Sequence, residues 1–242
     1  MDRIHILFPV LNEERRLEKG VHSTVSFMDK HFSGRYAITL MDNGSTDKTE
    51  ELSRLLTERY DNVHYIKLPE RGVGLALRAG VAANNFEIVG YMDIDLSTKL
   101  EHLLEVDHLF TDENVQIVNG SRLSKGSKMI NRSFQRKCTS QGLRFLLKIL
   151  LGMKIDDAIC GFKFFRKQTI EYLMAETAEA NGWFYCVELL IRAEKSHIRI
   201  VEIPVVWEDD PNTTVRVPSL ILNYMINIFR LRRIFYKNLL WF

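Results

Sequence analysis

Ile88-Val89-Gly90-Tyr91-Met92-Asp93-Ile94-Asp95 is the stretch on which the reading of this chain turns. Its first five residues make a short apolar run of the kind that folds as a buried strand. Two carboxylates, two residues apart, follow at once. At the C-terminal end of a strand they stand where open α/β sheets bind their ligands. Paired Asp side chains are costly there unless a hard cation neutralises them, and Mg²⁺ or Mn²⁺ on oxygen ligands commonly carries substrate phosphates as well. The stretch therefore points to an enzyme handling a phosphorylated donor, although Asp-x-Asp also occurs in capping turns.

Working outward, strand-like runs alternate with helical patterns. Ile4–Val10, Tyr36–Asp42 and Val63–Lys67 precede Ile88–Met92 as strands. Helices are expected from Glu13 towards His31, over Asp47–Tyr60 with Asp47 and Glu50 at a cap-like start, and over Gly74–Asn84. Thr98 and Glu101 have the spacing of a capping box. Further on come a strand at Gln116–Gly120, a helix at Phe134–Leu151, a short strand at Phe162–Phe165, a helix near Val187–Lys195, and extended chain over Arg199–Trp207. This β-α-β-α order predicts an α/β fold with a doubly wound, mainly parallel sheet.

The chain has 242 residues, 46% of them apolar, which suits one large α/β domain or one domain with an appendage. The net charge of +2 hides a strong polarity. No Asp or Glu occurs from Asn114 to Ile155, a tract that holds Arg122, Arg132, Arg136, Arg144 and Lys148 among its cations. None occurs from Pro211 onward either, where Arg216, Arg230, Arg232, Arg233 and Lys237 lie. Two acid-free basic tracts suit phosphate or anionic lipid; a nucleic-acid partner is not expected. Cys138, Cys160 and Cys186 are odd in number and lack Cys-x-x-Cys spacing, which argues against a disulfide framework or zinc site and fits a reducing cytosol. No signal peptide is apparent at Met1-Asp2-Arg3-Ile4, and Val217–Phe229 is too short to span a bilayer.

The chemistry gathers at the strand ends. The first strand runs into Pro9-Val10-Leu11-Asn12-Glu13-Glu14, the second into Asp42-Asn43-Gly44-Ser45-Thr46-Asp47, and the third towards Arg71-Gly72-Val73-Gly74. With Asp93 and Asp95 they define one crevice, in which Asp42 is a candidate acceptor of hydrogen bonds from a base or ribose. Each feature has a plainer explanation, with Asn12 and Asp47 as helix caps and Gly72 and Gly74 as a turn. Four in order on one sheet edge favour the functional one.

These motifs resemble those of the GT-A-fold, family 2 inverting glycosyltransferases. Gly120-Ser121-Arg122, Asp157-Ala158-Ile159-Cys160-Gly161-Phe162-Lys163, Val187-Glu188-Leu189-Leu190 and Glu202-Ile203-Pro204-Val205-x-Trp207 extend the likeness to the branch that makes dolichyl- or undecaprenyl-phosphate hexoses. Asn12–Leu17 and Cys160–Lys163 lean to its β-glucosyl side, with mannose as the other option. The resemblance implies a donor pocket of Pro9, Leu11, Glu13, Asp42 and Asp93, fed by a UDP- or GDP-hexose. It implies a metal on Asp95 and Ser97, an acceptor-phosphate site of Arg122, Arg136 and Ser140, and Arg216 over the donor diphosphate. Three departures stand out: Val73 where a Lys is common, Cys186 where an Asp is common, and Ser97 where a Gln ligand is common.

A phosphate monoester carries about −1.5 to −2 charges at pH 7, so its oxygen attacks without help from a base. A sugar hydroxyl needs a carboxylate or His, and the acid-free tract lacks one, whereas Arg forks grip phosphate well. Leu143–Leu151, with Arg144 and Lys148, has the pattern of an interfacial helix or a core helix. In the tail, Leu220, Tyr224, Ile228, Leu231 and Phe235 share one face opposite Asn223, Asn227, Arg230 and Lys237. The expected arrangement is a glycosyltransferase domain over residues 1–216 and an amphipathic tail over 217–242. The tail would dock on an anionic membrane, making the protein peripheral on the cytosolic face. The rival readings are a glycan or small-molecule hydroxyl acceptor, a metal-dependent phosphohydrolase using Asp93-x-Asp95 or Asp156-Asp157, and a non-catalytic lipid-phosphate binder.

Overall fold

All four expected strands form; β1, β2 and β4 are buried on both faces, which explains why their side chains do not alternate in polarity, whereas β3 lies at the sheet edge and is partly exposed. The computed structural model describes residues 2–177, 182–209 and 217–236. β1 (Ile4–Val10), α1 (Leu17–Phe32), β2 (Tyr36–Asp42), α2 (Thr49–Arg59), β3 (Val63–Lys67), α3 (Val73–Ala82) and β4 (Ile88–Met92) alternate as the sequence predicts. There follow α4 (His102–Leu109), β5 (Ile117–Ser121), β6 (Lys128–Ile130), α5 (Phe134–Leu151), β7 (Phe162–Arg166), α6 (Lys167–Glu176), α7 (Phe184–Lys195), β8 (Ile200–Pro204), β9 (Val206–Glu208) and α8 (Val217–Phe235).

Seven strands make one sheet in the order β3-β2-β1-β4-β7-β5-β8, and β6 pairs with β9 apart from it. β1, β2, β3 and β4 are mutually parallel, as are β5 and β8. The order reverses at β1, with β2 on one side and β4 on the other, which makes the crevice between their exits a topological switch point. β7 runs antiparallel to both neighbours, with Met92 opposite Phe162. Its entry therefore lies beside the exit of β4, and the loop of residues 156–161 arrives at the ligand-binding edge.

Helices cover both faces. Leu7, Val89, Tyr91, Ile117 and Phe165 pack beneath α3, α5, α6, α7 and α8. Ile6, Phe8, Ile38, Leu40, Met92, Val118 and Phe164 pack against α1 and α4 through Val21, Val25, Met28, Leu103 and Val106. α1 lies so close to the Asp-x-Asp loop that a Cβ on Gly20 would stand 2.3 Å from the Ile94 carbonyl oxygen.

Several expectations need correction. α1 begins at Leu17 because Asn12 takes a left-handed backbone (φ 56). The Glu13 and Glu14 amides then donate to Thr49 Oγ1 and Asp47 Oδ2, at 2.8 and 3.2 Å, rather than entering a helix. Thr98 and Glu101 make no capping box: α4 starts without a side-chain cap, and Thr98 bridges to Trp207. The apolar face of the tail is not turned to lipid. Tyr224, Ile228 and Leu231 are buried in the shared core. Arg230 pairs with the fully buried Glu188, which also binds Arg192 at 2.9 Å, and Arg232 donates to the Leu150 carbonyl at 2.9 Å. The outward residues of α8 include Leu222, Ile226, Phe229 and Ile234, with Asn223 and Arg233 among them. α5 buries Leu147 and Leu151 in the core while exposing Phe145 and Ile149. Among the described residues no helix is long and apolar enough to cross a membrane.

Candidate active site

The exits of β1 and β2 are tied into one rim by short polar side chains. Asn12 donates its amide to Ser45 Oγ at 3.0 Å and accepts from the Thr46 amide at 2.8 Å. Asp42 is fully buried, accepting from the Ser45 amide at 2.8 Å and from the Tyr65 hydroxyl at 2.9 Å. Burial, and then the hydrogen bond to Asp42, push the Tyr65 phenol well above its ordinary value, so it remains a donor. Both Asp42 oxygens are thus engaged within the protein, and the residue shapes the rim rather than lining the crevice. Pro9 and Leu11 are partly exposed beside it. Asn43 Oδ1 accepts from the Gly72 amide at 3.2 Å, which draws in the loop before α3.

Asp93 sits between the β4 exit and the β7 entry. Only glycine fits opposite it, since a Cβ on Gly161 would lie 2.0 Å from Asp93 Oδ2. Asp93 is half-buried as a residue, with its carboxyl set deep. That burial, followed by the charge of Asp95, pushes it up to about 7. Asp95 Oδ1 accepts from the Ser97 amide at 2.9 Å, and Arg16 reaches Asp95 Oδ2 at 3.9 Å while holding Glu13 at 2.7 Å. Ser97 is buried, and its carbonyl accepts from the Glu208 amide at 2.8 Å.

Two mutually repelling carboxylates with oxygen donors alone fit a small hard cation that keeps water or ligand oxygens in its other positions. No group of three His, Cys, Asp or Glu residues completes a metal cage among the described residues. Behind Asp93 lies Lys163, fully buried, its ammonium donating to the Cys160 carbonyl and standing 5.6 Å from the Tyr91 ring.

The basic tract folds against the same edge, but not as expected. Arg122 is committed to Asp157: its Nε and Nη2 reach the two carboxylate oxygens at 2.7 and 3.0 Å, and its amide adds a third bond at 3.0 Å. Burial works against the Asp157 charge, yet the Arg122 charge and hydrogen bonds hold its carboxyl down at about 2. The fork assigned to an acceptor phosphate is therefore filled, because Asp157 enters across the sheet on the loop before β7. Asp156 is likewise bound, by Arg144 and by Lys148 at 2.9 Å, which leaves neither residue of the Asp156-Asp157 pair placed as a hydrolase nucleophile.

The guanidinium beside Arg136 is Arg132, which the motifs did not single out. Arg132 donates to Ser140 Oγ and meets Asp209 at 3.3 Å; Arg136 meets the same Asp209 oxygen at 3.3 Å. Arg132 thus links Ser140 to the Asp209 oxygen that Arg136 also meets, while Arg122 is held apart by Asp157. Trp207 connects the two arginine groups, its ring beneath Arg122 at 4.8 Å and its indole N–H donating to Asp209 at 2.9 Å. Arg216 lies outside the described residues. Asp209 carried one legible signal, as one of the last two acids before the acid-free tail.

A doubly wound sheet with an Asp-x-Asp pair at its switch point is the architecture of the GT-A fold, and the chain has that fold. It belongs to glycosyl transferase family 2, matched over residues 5–173. It is 28% identical over 229 residues to glycosyltransferase AglD of Haloferax volcanii, covering 94% of this chain but only 36% of that one, so it spans about a third of that relative's length. It is 28% identical to the dolichyl-phosphate beta-glucosyltransferase ALG5D of Trichomonas vaginalis, covering 98% of this chain and 75% of that one. The dolichyl-phosphate beta-glucosyltransferase of Saccharomyces cerevisiae is also 28% identical, over 85% of this chain and 67% of its own. Glucosyl-3-phosphoglycerate synthase from Mycobacterium tuberculosis, solved with Mn²⁺, UDP and glucosyl-3-phosphoglycerate, shares the fold at a TM-score of 0.68 and 20% identity, over 96% of this chain and 80% of that one.

Proposed function

We propose that the protein transfers a glucosyl group from a UDP-sugar to the phosphate of a polyprenyl phosphate, using Mg²⁺ or Mn²⁺ at the cytosolic face of a membrane. The observation that carries this reading is the cradle of Arg132, Arg136 and Ser140, built from the acid-free tract. The carboxylate that the described residues place in it, Asp209, is shared by two guanidinium groups and an indole N–H. Such a cradle suits an anionic nucleophile and offers no base to a hydroxyl. The dolichyl-phosphate glucosyltransferases among the relatives support the same acceptor.

Asp93 and Asp95, with Ser97 nearby, would hold the metal. When bound, it supplies Lewis-acid stabilisation of the departing nucleoside diphosphate. Pro9, Leu11 and Glu13 form the nucleotide wall, which Asp42 braces from behind, and Arg216 is assigned to the donor diphosphate. Arg136 and Ser140 orient the acceptor phosphate for attack on the anomeric carbon, with inversion. Arg122 acts from behind, fixing Asp157 and the loop that carries Gly161. Residues 1–216 are the catalytic unit; the outward faces of α8 and α5 are the surface we assign to an anionic membrane.

The test is transfer from labelled UDP-glucose, with Mn²⁺, to a short-chain polyprenyl phosphate, followed by organic extraction. Label is expected in an acid-labile lipid product. Label confined to a soluble hydroxyl acceptor, with the lipid phosphate untouched, would overturn the reading.

A further inference from the structure

The arginine cradle is closed by an anion of the protein's own. Arg132 and Arg136 bring two positive charges, and Asp209 supplies one negative charge between them. The fit is poor by the standard of the neighbouring pair. Arg122 and Asp157 meet at 2.7 and 3.0 Å, within or close to the usual range for charge-assisted bonds. Asp209 meets its arginines only at 3.3 and 3.4 Å. Its Oδ1 is shared among Arg132, Arg136 and the Trp207 indole, whereas among the described residues its Oδ2 meets Arg132. The Arg132 side chain is only 5% exposed, and its buried Nε has no partner. A planar carboxylate with two oxygens leaves this site one acceptor short and one positive charge uncompensated.

A phosphate monoester answers both deficits, with three terminal oxygens and about −1.5 to −2 charges. We propose that Asp209 is a resident stand-in for the acceptor phosphate, filling the Arg132–Arg136–Ser140 cradle until a phosphate monoester displaces it and so selecting acceptors by charge. The exchange needs only the Asp209 side chain to turn, because its backbone is pinned by the amide's bond to the Ile130 carbonyl at 3.1 Å. A neutral hydroxyl compound cannot drive the exchange, since it would leave two guanidinium groups uncompensated in a buried site. Asp209 is thus a specificity-determining residue. Arg132, rather than Arg122, is the second guanidinium on the phosphate. The inference rests on the proposed acceptor, but it is read by binding alone.

The experiment measures binding of inorganic phosphate and of a short-chain prenyl monophosphate to the full chain by calorimetry, without donor. Asp209→Asn, which keeps the shape and removes the charge, should bind both at least fivefold more tightly than wild type. Arg132→Met should bind both at least tenfold more weakly, and Arg132→Lys should recover part of the loss. Trp207→Phe, which keeps a ring beneath Arg122 but releases the Asp209 side chain, should also tighten binding, and it serves if Asp209→Asn fails to fold. If Asp209 merely orients the arginines, its loss would weaken or leave unchanged the affinity for both probes, and the inference falls. Tightening for the prenyl compound alone would assign the gain to its chain rather than to the cradle, and also overturns it. Tighter binding in Asp209→Asn without any wild-type transfer to lipid phosphate would sink the proposed reaction and leave this inference standing. Wild-type transfer with no tightening would do the reverse.

Discussion

At position 161 a single methyl group decides whether Asp93 can occupy its place. Gly161→Ala would set a Cβ 2.0 Å from Asp93 Oδ2 and 2.5 Å from its Cγ, directly against the carboxyl itself. Overpacking of this kind costs about 1–3 kcal/mol, and the carboxyl must move. Mn²⁺-dependent UDP affinity should fall at least tenfold, with a modest drop in melting temperature. Asp95→Ala should abolish the same affinity without lowering the melting temperature, since Asp95 accepts only a local amide bond and a distant contact from Arg16. Full activity of wild type in excess chelator would remove the metal assignment. Arg136, only partly buried, is the cleaner probe of the acceptor. Losing a charge-assisted fork costs roughly 1.5–3 kcal/mol. Arg136→Ala should therefore cut lipid-phosphate transfer at least tenfold while leaving slow hydrolysis of UDP-glucose unchanged, and Arg136→Lys should recover part. Equal losses in both assays would move Arg136 to the donor side. Asp93 and Asp95 are legible as candidates because they close a local strand-end pattern, whereas Arg136 is assigned only through the family resemblance. The sequence could not display the pairing of Arg122, whose partner Asp157 is 35 residues away and reaches it only through the loop before β7.

Among the elements, strands declared themselves most clearly. β1, β2, β3 and β4 have the bounds expected from the sequence, since continuous apolar runs have no other way to bury themselves. β6 was illegible because three largely exposed residues carry no periodicity, and α6 because it follows β7 without a turn residue. The direction of β7 was also hidden, since no residue in Phe162–Arg166 distinguishes a parallel from an antiparallel neighbour. β1 and β2 are further stitched by His5, whose ring nitrogens contact Asn84 Oδ1 at 3.0 Å and Thr39 Oγ1 at 2.7 Å. Burial, against the Asn84 hydrogen bond, lowers the His5 pKa to about 4 from 6.5. Between those values the unfolded chain binds the extra proton and the folded one does not. Stability from this group is complete above pH 6.5, declines as pH falls to 4, and is flat below. The full difference is roughly 3 kcal/mol at most. Urea midpoints at pH 7 and pH 5 should differ more in wild type than in His5→Gln; an equal difference would show that His5 is not the group responsible.

The molecule as a whole sorts its two basic tracts differently from what their composition alone suggests. Much of the first turns inward, where Arg122, Arg132, Arg144 and Lys148 meet carboxylates that the sequence places outside the tract. In the second, Arg230 and Arg232 fasten α8 to α7 and to the end of α5. What α8 offers outward is largely apolar: Leu222, Ile226 and Phe229 at helical spacing, interrupted by Asn223, with the exposed Arg233 and Ile234 beyond them. α5, packed beside it, exposes Phe145 and Ile149. A membrane surface would gain from both kinds of residue, at about 0.8 kcal/mol per buried CH₂ and ~1 kcal/mol per basic residue near anionic lipid. Replacing Leu222, Ile226 and Phe229 by Ser should release the protein from phosphatidylserine-containing vesicles while preserving UDP binding and the melting temperature. Arg233→Glu alone should weaken co-sedimentation mainly at low salt. Arg230→Glu should behave differently, lowering the melting temperature, because it sets a second carboxylate against the buried Glu188 and leaves that residue with Arg192 alone. Unchanged vesicle binding in the triple variant would show that this face does not meet lipid.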